Sequence, residues 1–282
     1  MLKIAVIGAT GVLGRHVLPR LVERGHDVRA IVHKPTEVQR LQCMGIDAML
    51  GDILNPDTLE PATRDCEAAL HLATAIPKSG QLQDWSMNDR IRREGTQNFI
   101  DACQKNSVRR YVQQSITLLY GDHGEQIVDE ETALQPNPIT RSAMNMEAIV
   151  KATRFEWCIL RGGLFYGTGT GREDDWRRAA QAGTLQLPGD GSNLISLVHV
   201  VDMARALVMT VERAEAGSIY NVVDDLPVDY QTLYRYITAQ VGGEKPGAGG
   251  EAFLPSLGCS NARIKAELGW EPLYPNFRSG LA

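Results

Sequence analysis

Seven residues near the start of the chain, Gly8-Ala9-Thr10-Gly11-Val12-Leu13-Gly14, constrain its fold more than any others. They follow the apolar run Ile4-Ala5-Val6-Ile7 and precede a stretch in which Val17, Leu18, Leu21 and Val22 recur at helical spacing, as on one buried stripe. A strand that turns on three glycines into an amphipathic helix presents free backbone amides to a phosphate. Gly8 permits the tight turn, Gly11 lets the backbone approach a pyrophosphate, and Gly14 lets the helix pack closely. The turn is therefore expected to bind a dinucleotide through Gly8, Thr10, Gly11, Val12, Leu13 and Gly14. Pro19 interrupts the helical pattern, and a bend or relaxed turn is expected there because proline removes a backbone donor.

Short apolar runs continue to alternate with helical patterns: Val28–Val32, Ala48–Leu50, Ala68–Leu72, Tyr111–Val112 and Trp157–Leu160. Such alternation predicts an α/β fold, a doubly wound parallel sheet of Rossmann type covered by helices on both faces. After Leu160 the pattern loosens into glycine-rich Arg161-Gly162-Gly163 and Thr168-Gly169-Thr170-Gly171, with a polar helix predicted from Glu173 to Ala182. A helix from Val201 to Arg213 and a strand from Tyr220 return to the main pattern. The expected organisation is a cofactor-binding domain of residues 1–163 with about 194–223, and a smaller C-terminal substrate lobe of about 164–193 and 224–282. Gly242-Gly243 to Gly249-Gly250 has the composition of a mobile surface loop.

With 29 Lys+Arg against 34 Asp+Glu, the chain has no basic excess for neutralising a phosphate backbone, so nucleic acid is not an expected partner. Cys43, Cys66, Cys103, Cys158 and Cys259 are scattered singly, without zinc spacing, so reduced thiols and no metal are expected. The opening apolar run is too short for a signal peptide, and no segment approaches the roughly 20 apolar residues of a membrane span. These features predict a cytoplasmic protein with no membrane partner.

The end of the second strand, Val28-Arg29-Ala30-Ile31-Val32-His33-Lys34, bears on cofactor choice. NAD sites place an acid there for the ribose 2′-hydroxyl, and NADP sites tend to place a cation for the 2′-phosphate. His33 and Lys34 favour NADP over NAD, a solvated basic turn being the other reading, and Arg15 can add to the same charge or face water.

Together the motifs resemble the short-chain dehydrogenase/reductase family, and in particular its extended, epimerase/dehydratase-like branch. The spacing G-x-x-G-x-x-G is the family's. Gly51-Asp52-Ile53 is similar to its G-D-[VI], where the Asp meets the adenine amine. His71-Leu72-Ala73-Thr74 resembles H-L-A-A, which lies along the cofactor, and Gly95-Thr96-Gln97-Asn98 matches G-T-x-N. Leu160 to Gly167 resembles L-R-P-x-x-x-Y-G, the loop at the nicotinamide. Gly189-Asp190-Gly191, Val198-His199-Val200-Val201-Asp202-Met203-Ala204 and Leu268-Gly269-Trp270-Glu271-Pro272 follow later family motifs. The resemblance implies further cofactor contacts from Asp52, Ile53, Leu72, Ala73, Thr74, Gly163, Leu164 and Phe165. It also implies a small-molecule or sugar-nucleotide-like substrate and, by analogy, a homodimer.

The family's proton-transfer machinery is missing. A Tyr and a Lys four residues apart normally share one helix face, the ammonium lowering the phenol's pKa and holding the ribose. The matching segment, Pro138 to Glu147, has Ile139 for the Tyr and Ala143 for the Lys, and none of the eight tyrosines has a lysine four residues on. Gln114-Ser115-Ile116-Thr117-Leu118-Leu119-Tyr120-Gly121 resembles S-S-x-x-x-Y-G with Ile116 at the usual catalytic position. No catalytic residue can therefore be named. Ser115, Thr117, Tyr120 and Tyr166 are substrate-binding candidates. For Tyr120 and Tyr166, as for Trp85, His123 and His199, packing is the plainer role.

Two functions compete: an oxidoreductase or epimerase/dehydratase-like enzyme of altered mechanism, and a non-catalytic NADP(H)-binding redox sensor or regulator. The missing triad suits the second, and the substrate-lobe motifs suit the first.

Overall fold

The computed structural model describes residues 1–77, 84–251 and 254–281. Strands β1 (Lys3–Ile7), β2 (Asp27–Val32), β3 (Asp47–Leu50), β4 (Ala68–His71) and β5 (Arg110–Ile116) alternate with helices α1 (Gly14–Glu23), α2 (Pro35–Cys43), α3 (Leu59–Thr63), α4 (Ser86–Arg90) and α5 (Thr96–Lys105). A π-helical turn, Ile91–Gly95, joins α4 to α5. Then follow β6 (Ile127–Val128), α6 (Arg141–Lys151), β7 (Glu156–Gly162), β8 (Leu164–Tyr166), α7 (Arg172–Gln181), β9 (Gln186–Pro188), β10 (Leu194–Ile195) and β11 (Leu197–His199). The chain ends with α8 (Val200–Arg213), β12 (Ser218–Val222), β13 (Val228–Asp229), α9 (Tyr230–Val241), β14 (Gly247–Gly250), β15 (Gly258–Cys259), α10 (Ala262–Leu268) and α11 (Phe277–Gly280).

A seven-stranded sheet runs in the order β12-β7-β5-β4-β1-β2-β3. The pairs β1-β2, β1-β4, β2-β3 and β4-β5 are parallel, with Ile7 opposite both Ile31 and His71. Buried along its whole length, β4 reads Ala68-Ala69-Leu70 before the buried His71 rather than as an apolar/polar alternation, as strands inside parallel sheets do. Between β1 and β4 the strand order reverses direction. In open α/β sheets that switch, at the carboxyl ends of the strands, is where ligands bind.

Contacts divide the chain into two units. The first comprises residues 1–115, 138–160 and 204–219, and the second 116–137, 161–203 and 220–282. In the first, Val17, Leu18 and Leu21 of α1 pack inward as the stripe predicts, but Val22 is half exposed and lies outside it. Helix α1 continues through Pro19, which sits on its exposed face. The core of this unit continues through Phe99, Tyr111 and Phe155, with Tyr111 and Phe155 stacked at 5.5 Å.

In the second unit, β8 pairs with β11, β10 with β13, and β15 with β6. The glycine-rich 242–250 segment is not simply a loop: its second half is β14, paired with β9 through Gly247 and Gly250. Trp176, Leu233, Tyr234, Ile237 and Phe277 form the centre of this unit's core. The buried Asp202 carboxylate accepts from the amides of Leu273 (2.8 Å) and Tyr274 (2.9 Å), and Trp270 donates Nε1–H to the Asp202 carbonyl. These bonds explain why an Asp in the 198–204 segment accompanies a Leu-Gly-Trp run seventy residues later.

All five cysteines are free thiols, and among the described residues no group of three or more His, Cys, Asp or Glu is arranged to hold a metal. No described helix is long and apolar enough to cross a membrane.

Candidate functional site

The parallel register brings the ends of β1, β2, β3 and β4 to one edge of the first unit. There it assembles Gly8–Gly14, His33 and Lys34, Asp52 and Ile53, and Leu72–Thr74. Gly8 has φ +84°, and a Cβ on it would lie 2.6 Å from the Ala73 amide nitrogen, so the turn is pressed against the loop after β4. A Cβ on Gly14 would meet the carbonyl oxygens of Gly8 and Ala9, so only glycine lets the helix start pack this closely on the turn. At Gly11 only the Gly8 carbonyl is near, at 3.2 Å, and that side of the turn is open. The Gly11 amide bonds to Gly8, whereas no hydrogen bond among the described residues takes the amides of Val12 and Leu13. Free donors at a helix start, beside a glycine whose open face a side chain would fill, fit a pyrophosphate.

Next to the turn is a hollow of about 420 Å³ lined by Thr10, Arg15, His33, Lys34, Glu37 and Arg40. Arg15 is held by donating Nε–H to the Thr10 carbonyl (3.0 Å), and Arg40 clasps Glu37 at 2.7 Å. The Glu37 carboxyl is lowered by its hydrogen bond to Arg40 first, and Lys34 and Arg15 contribute to the same shift. Three cations against one carboxylate leave the hollow positive. Arg40, six residues past Lys34 on a helix opened by Pro35, carries no motif and escapes sequence reading.

Asp52 is exposed at the end of β3, with Oδ1 accepting from the Leu54 amide (2.9 Å). Ile53 is buried, and its side chain lies 3.0 Å from where a Cβ on Gly95 would be, which accounts for the glycine of the Gly95-Thr96 motif. Leu72 donates its amide to Ile7, while Ala73 and Thr74 are progressively more open. His71 is buried, with Nδ1 2.9 Å from Gln113 Nε2, and burial pushes its pKa down to about 4.

Ser115 is almost fully buried and donates to the buried Glu147 carboxylate at 2.7 Å, which Lys151 also approaches at 3.3 Å. Ala143, on the same helix α6, is completely buried, whereas Ile139 lies in the turn before that helix and is 42% exposed.

The remaining candidates belong to the second unit. Thr117, in a 3₁₀ turn after β5, is buried and donates to the Gly162 carbonyl (3.3 Å). Tyr120 has no exposure; its hydroxyl donates to Asn221 Oδ1 (2.9 Å) and accepts from Arg161 (2.8 Å), and burial pushes its pKa up to about 12. Tyr166 is equally buried, edge-on to His199 at 5.2 Å, with its pKa raised by burial first. His199 packs on the Gly167 backbone and on Tyr274, at 3.8 Å between ring centroids. Gly163 lies so close to the Ser196 carbonyl, and Gly162 to the Phe165 ring, that no Cβ fits at either. Leu164 and Phe165 remain partly open in β8. Thus the hydroxyls named as substrate candidates, Ser115, Thr117, Tyr120 and Tyr166, all sit in buried side chains that hold their own units together. A separate hollow of about 670 Å³ in the second unit has Glu125, Asp190 and Asp229 on its walls and no cation, so it does not suit a phosphate.

Comparison with known proteins agrees with this fold. The chain is 29% identical to a 3-diazoavenalumate denitrifying reductase of a Streptomyces species, over 99% of both chains. It is 25% identical to a 4-hydroxy-2-methyl-3-oxo-4-farnesyl-3,4-dihydroquinoline-1-oxide ketoreductase of Stigmatella aurantiaca, over 97% of this chain and 82% of that one. Its fold matches the dTDP-glucose 4,6-dehydratase of Streptomyces venezuelae, solved with NAD, at a TM-score of 0.88 and 21% identity, covering 100% of this chain and 95% of that one. The sequence profile of the NAD dependent epimerase/dehydratase family matches residues 4–223. With the glycine turn, the strand order and the strand-end residues all in place, the chain belongs to the NAD dependent epimerase/dehydratase family and is of its NAD(P)-binding, reductase-like kind.

Proposed function

We propose that the protein is an NADPH-using reductase of a small organic molecule, cytoplasmic, with the second unit serving as its substrate lobe. The observation that carries the cofactor preference is the positive hollow of Arg15, Lys34 and Arg40 beside the glycine turn, where a 2′-phosphate gains charge-assisted hydrogen bonds. When bound, the dinucleotide supplies hydride from its nicotinamide. The turn amides and Asp52 hold and orient the cofactor, with Leu72, Ala73 and Thr74 lying along it.

What the chain lacks decides the substrate class. Ile139 and Ala143 donate no proton, and burial pushes the phenol of Tyr120 up to about 12 and raises that of Tyr166 as well. Substrates that need a protein acid at the reacting oxygen, as ordinary ketone and sugar-nucleotide reactions do, lose a contribution of about 10²–10⁴-fold. Acceptors that need no such proton suit the site. The similarity to a denitrifying reductase named for a diazo compound supports that class.

The experiment is a panel of an aryl diazonium ion, activated ketones and sugar nucleotides with NADPH, followed by cofactor absorbance and product mass. Turnover confined to proton-independent acceptors is expected. Rapid sugar-nucleotide turnover, unaffected by changing Ser115 or Tyr120, contradicts the reading.

A further inference from the structure

Arg92 is the second residue of the π-helical turn between α4 and α5, and it is buried to 5% exposure. A π turn holds more residues than an α turn and re-aims the side chains within it. Here the guanidinium reaches α6, where Arg92 Nη1 donates to the buried Ser142 Oγ at 3.3 Å. Ser142 immediately precedes Ala143. Among the described residues this is the only hydrogen bond of a group that carries five N–H donors. Burial lowers its pKa to about 10, opposed by the nearby Asp89 carboxylate.

Asn88, one turn earlier, has no exposure. Its Oδ1 accepts from the Ala75 amide at 3.1 Å, which fixes the side-chain amide's orientation and leaves Nδ2 buried without a partner. Trp85 Nε1, a further turn back, is also buried and unpartnered. Residues 85, 88 and 92 share a helix face, so three donor groups are gathered there with little to bond. Asp89 Oδ1 is an unpaired acceptor beside them. Unspent buried donors of this kind call for an oxygen-rich ligand. Position 143 of α6, where the missing lysine would stand, is a completely buried alanine and supplies no charge.

We propose that Arg92, delivered by the π turn, replaces the missing cation of α6 and donates with Asn88 to the ribose hydroxyls of the bound dinucleotide. This rests on the cofactor reading above, and its test separates the two. NADPH and NADH are titrated by fluorescence into the wild type, Arg92→Gln, Arg92→Lys and Lys34→Gln. Arg92→Gln should weaken both cofactors equally, by about 10-fold or more, as loss of a charged hydrogen bond does. Arg92→Lys should recover most of that loss, and Lys34→Gln should weaken NADPH alone. Unchanged binding by Arg92→Gln overturns the proposal, as does an Arg92→Lys variant that folds yet binds as weakly as Arg92→Gln. Wild-type protein that binds neither cofactor overturns the cofactor reading itself. Should Arg92→Gln not fold, the arginine side-chain ¹⁵N resonances of the wild type decide: the Arg92 signal should move on adding NADPH, and a signal that stays put rejects the contact.

Discussion

Replacing Asp224 by Asn should make the protein more stable at neutral and alkaline pH and bring no gain in acid. Asp224 follows β12 and is 2% exposed, its amide bonded to the Leu197 carbonyl at 2.7 Å. Neither carboxylate oxygen has a hydrogen-bond partner among the described residues. The Leu226 amide lies near enough to favour the charge without reaching bonding geometry. Burial is the largest influence, and with the Asp225 and Asp202 charges it pushes the pKa up to about 8. Below pH 4 the group is protonated in both the folded and unfolded chain, so no penalty exists. Between pH 4 and pH 8 the unfolded chain gives up the proton while the folded one keeps it, and stability falls as pH rises. At about 1.4 kcal/mol per pH unit, the loss reaches roughly 5 kcal/mol by pH 7.5. Asn never ionises, but its buried amide hydrogens cost about 1–3 kcal/mol. Urea unfolding of wild type and Asp224→Asn from pH 4 to pH 9 should therefore show a difference that grows towards neutrality and reaches about 2–4 kcal/mol in favour of Asn. A difference that does not change with pH refutes a buried, proton-holding Asp224.

His71 carries the opposite dependence: with its folded pKa near 4 against an ordinary 6.5, it costs nothing above pH 6.5 and lowers stability by about 3 kcal/mol as pH falls towards 4. Unfolding curves of His71→Gln should lose that part of the acid slope. Gly8→Ala must place a Cβ 2.6 Å from Ala73 backbone at φ +84°, and should cost at least about 2 kcal/mol in thermal or urea unfolding and abolish cofactor binding in titration. Restoring the absent pair as Ile139→Tyr/Ala143→Lys should not restore activity. The half-exposed Ile139 tolerates Tyr, but a lysine at the fully buried Ala143 overpacks α6 by about 1–3 kcal/mol, visible when the single variants are melted separately.

The fold was legible where its signals are local. The glycine turn, the first five strands and the long helix Val200–Arg213 follow from short apolar runs and helical spacing within one window. Val22 lies outside the stripe because spacing places a residue near a stripe without showing which edge a neighbour covers. Strand β14 is not legible in the sequence, since Gly-Ala-Gly-Gly has no strand preference and pairs only because Gln186–Pro188 offers an edge. At the site, Gly8–Gly14, His33 and Lys34 could be named because they border the first two strands. Arg40 and Arg92 could not, since one depends on how far a helix carries a side chain and the other on a π turn that no residue pattern announces.

On the proposed reading, a site built from the glycine turn and a basic hollow holds NADPH. Parallel fluorescence titrations of NADPH and NADH, at low salt and again at several hundred millimolar, test it most directly. NADPH should bind about 10-fold or more tighter than NADH at low salt, the strength of a charge-assisted phosphate contact, with the preference shrinking as salt screens Arg15, Lys34 and Arg40. Equal affinities, or tighter binding of NADH, contradict it.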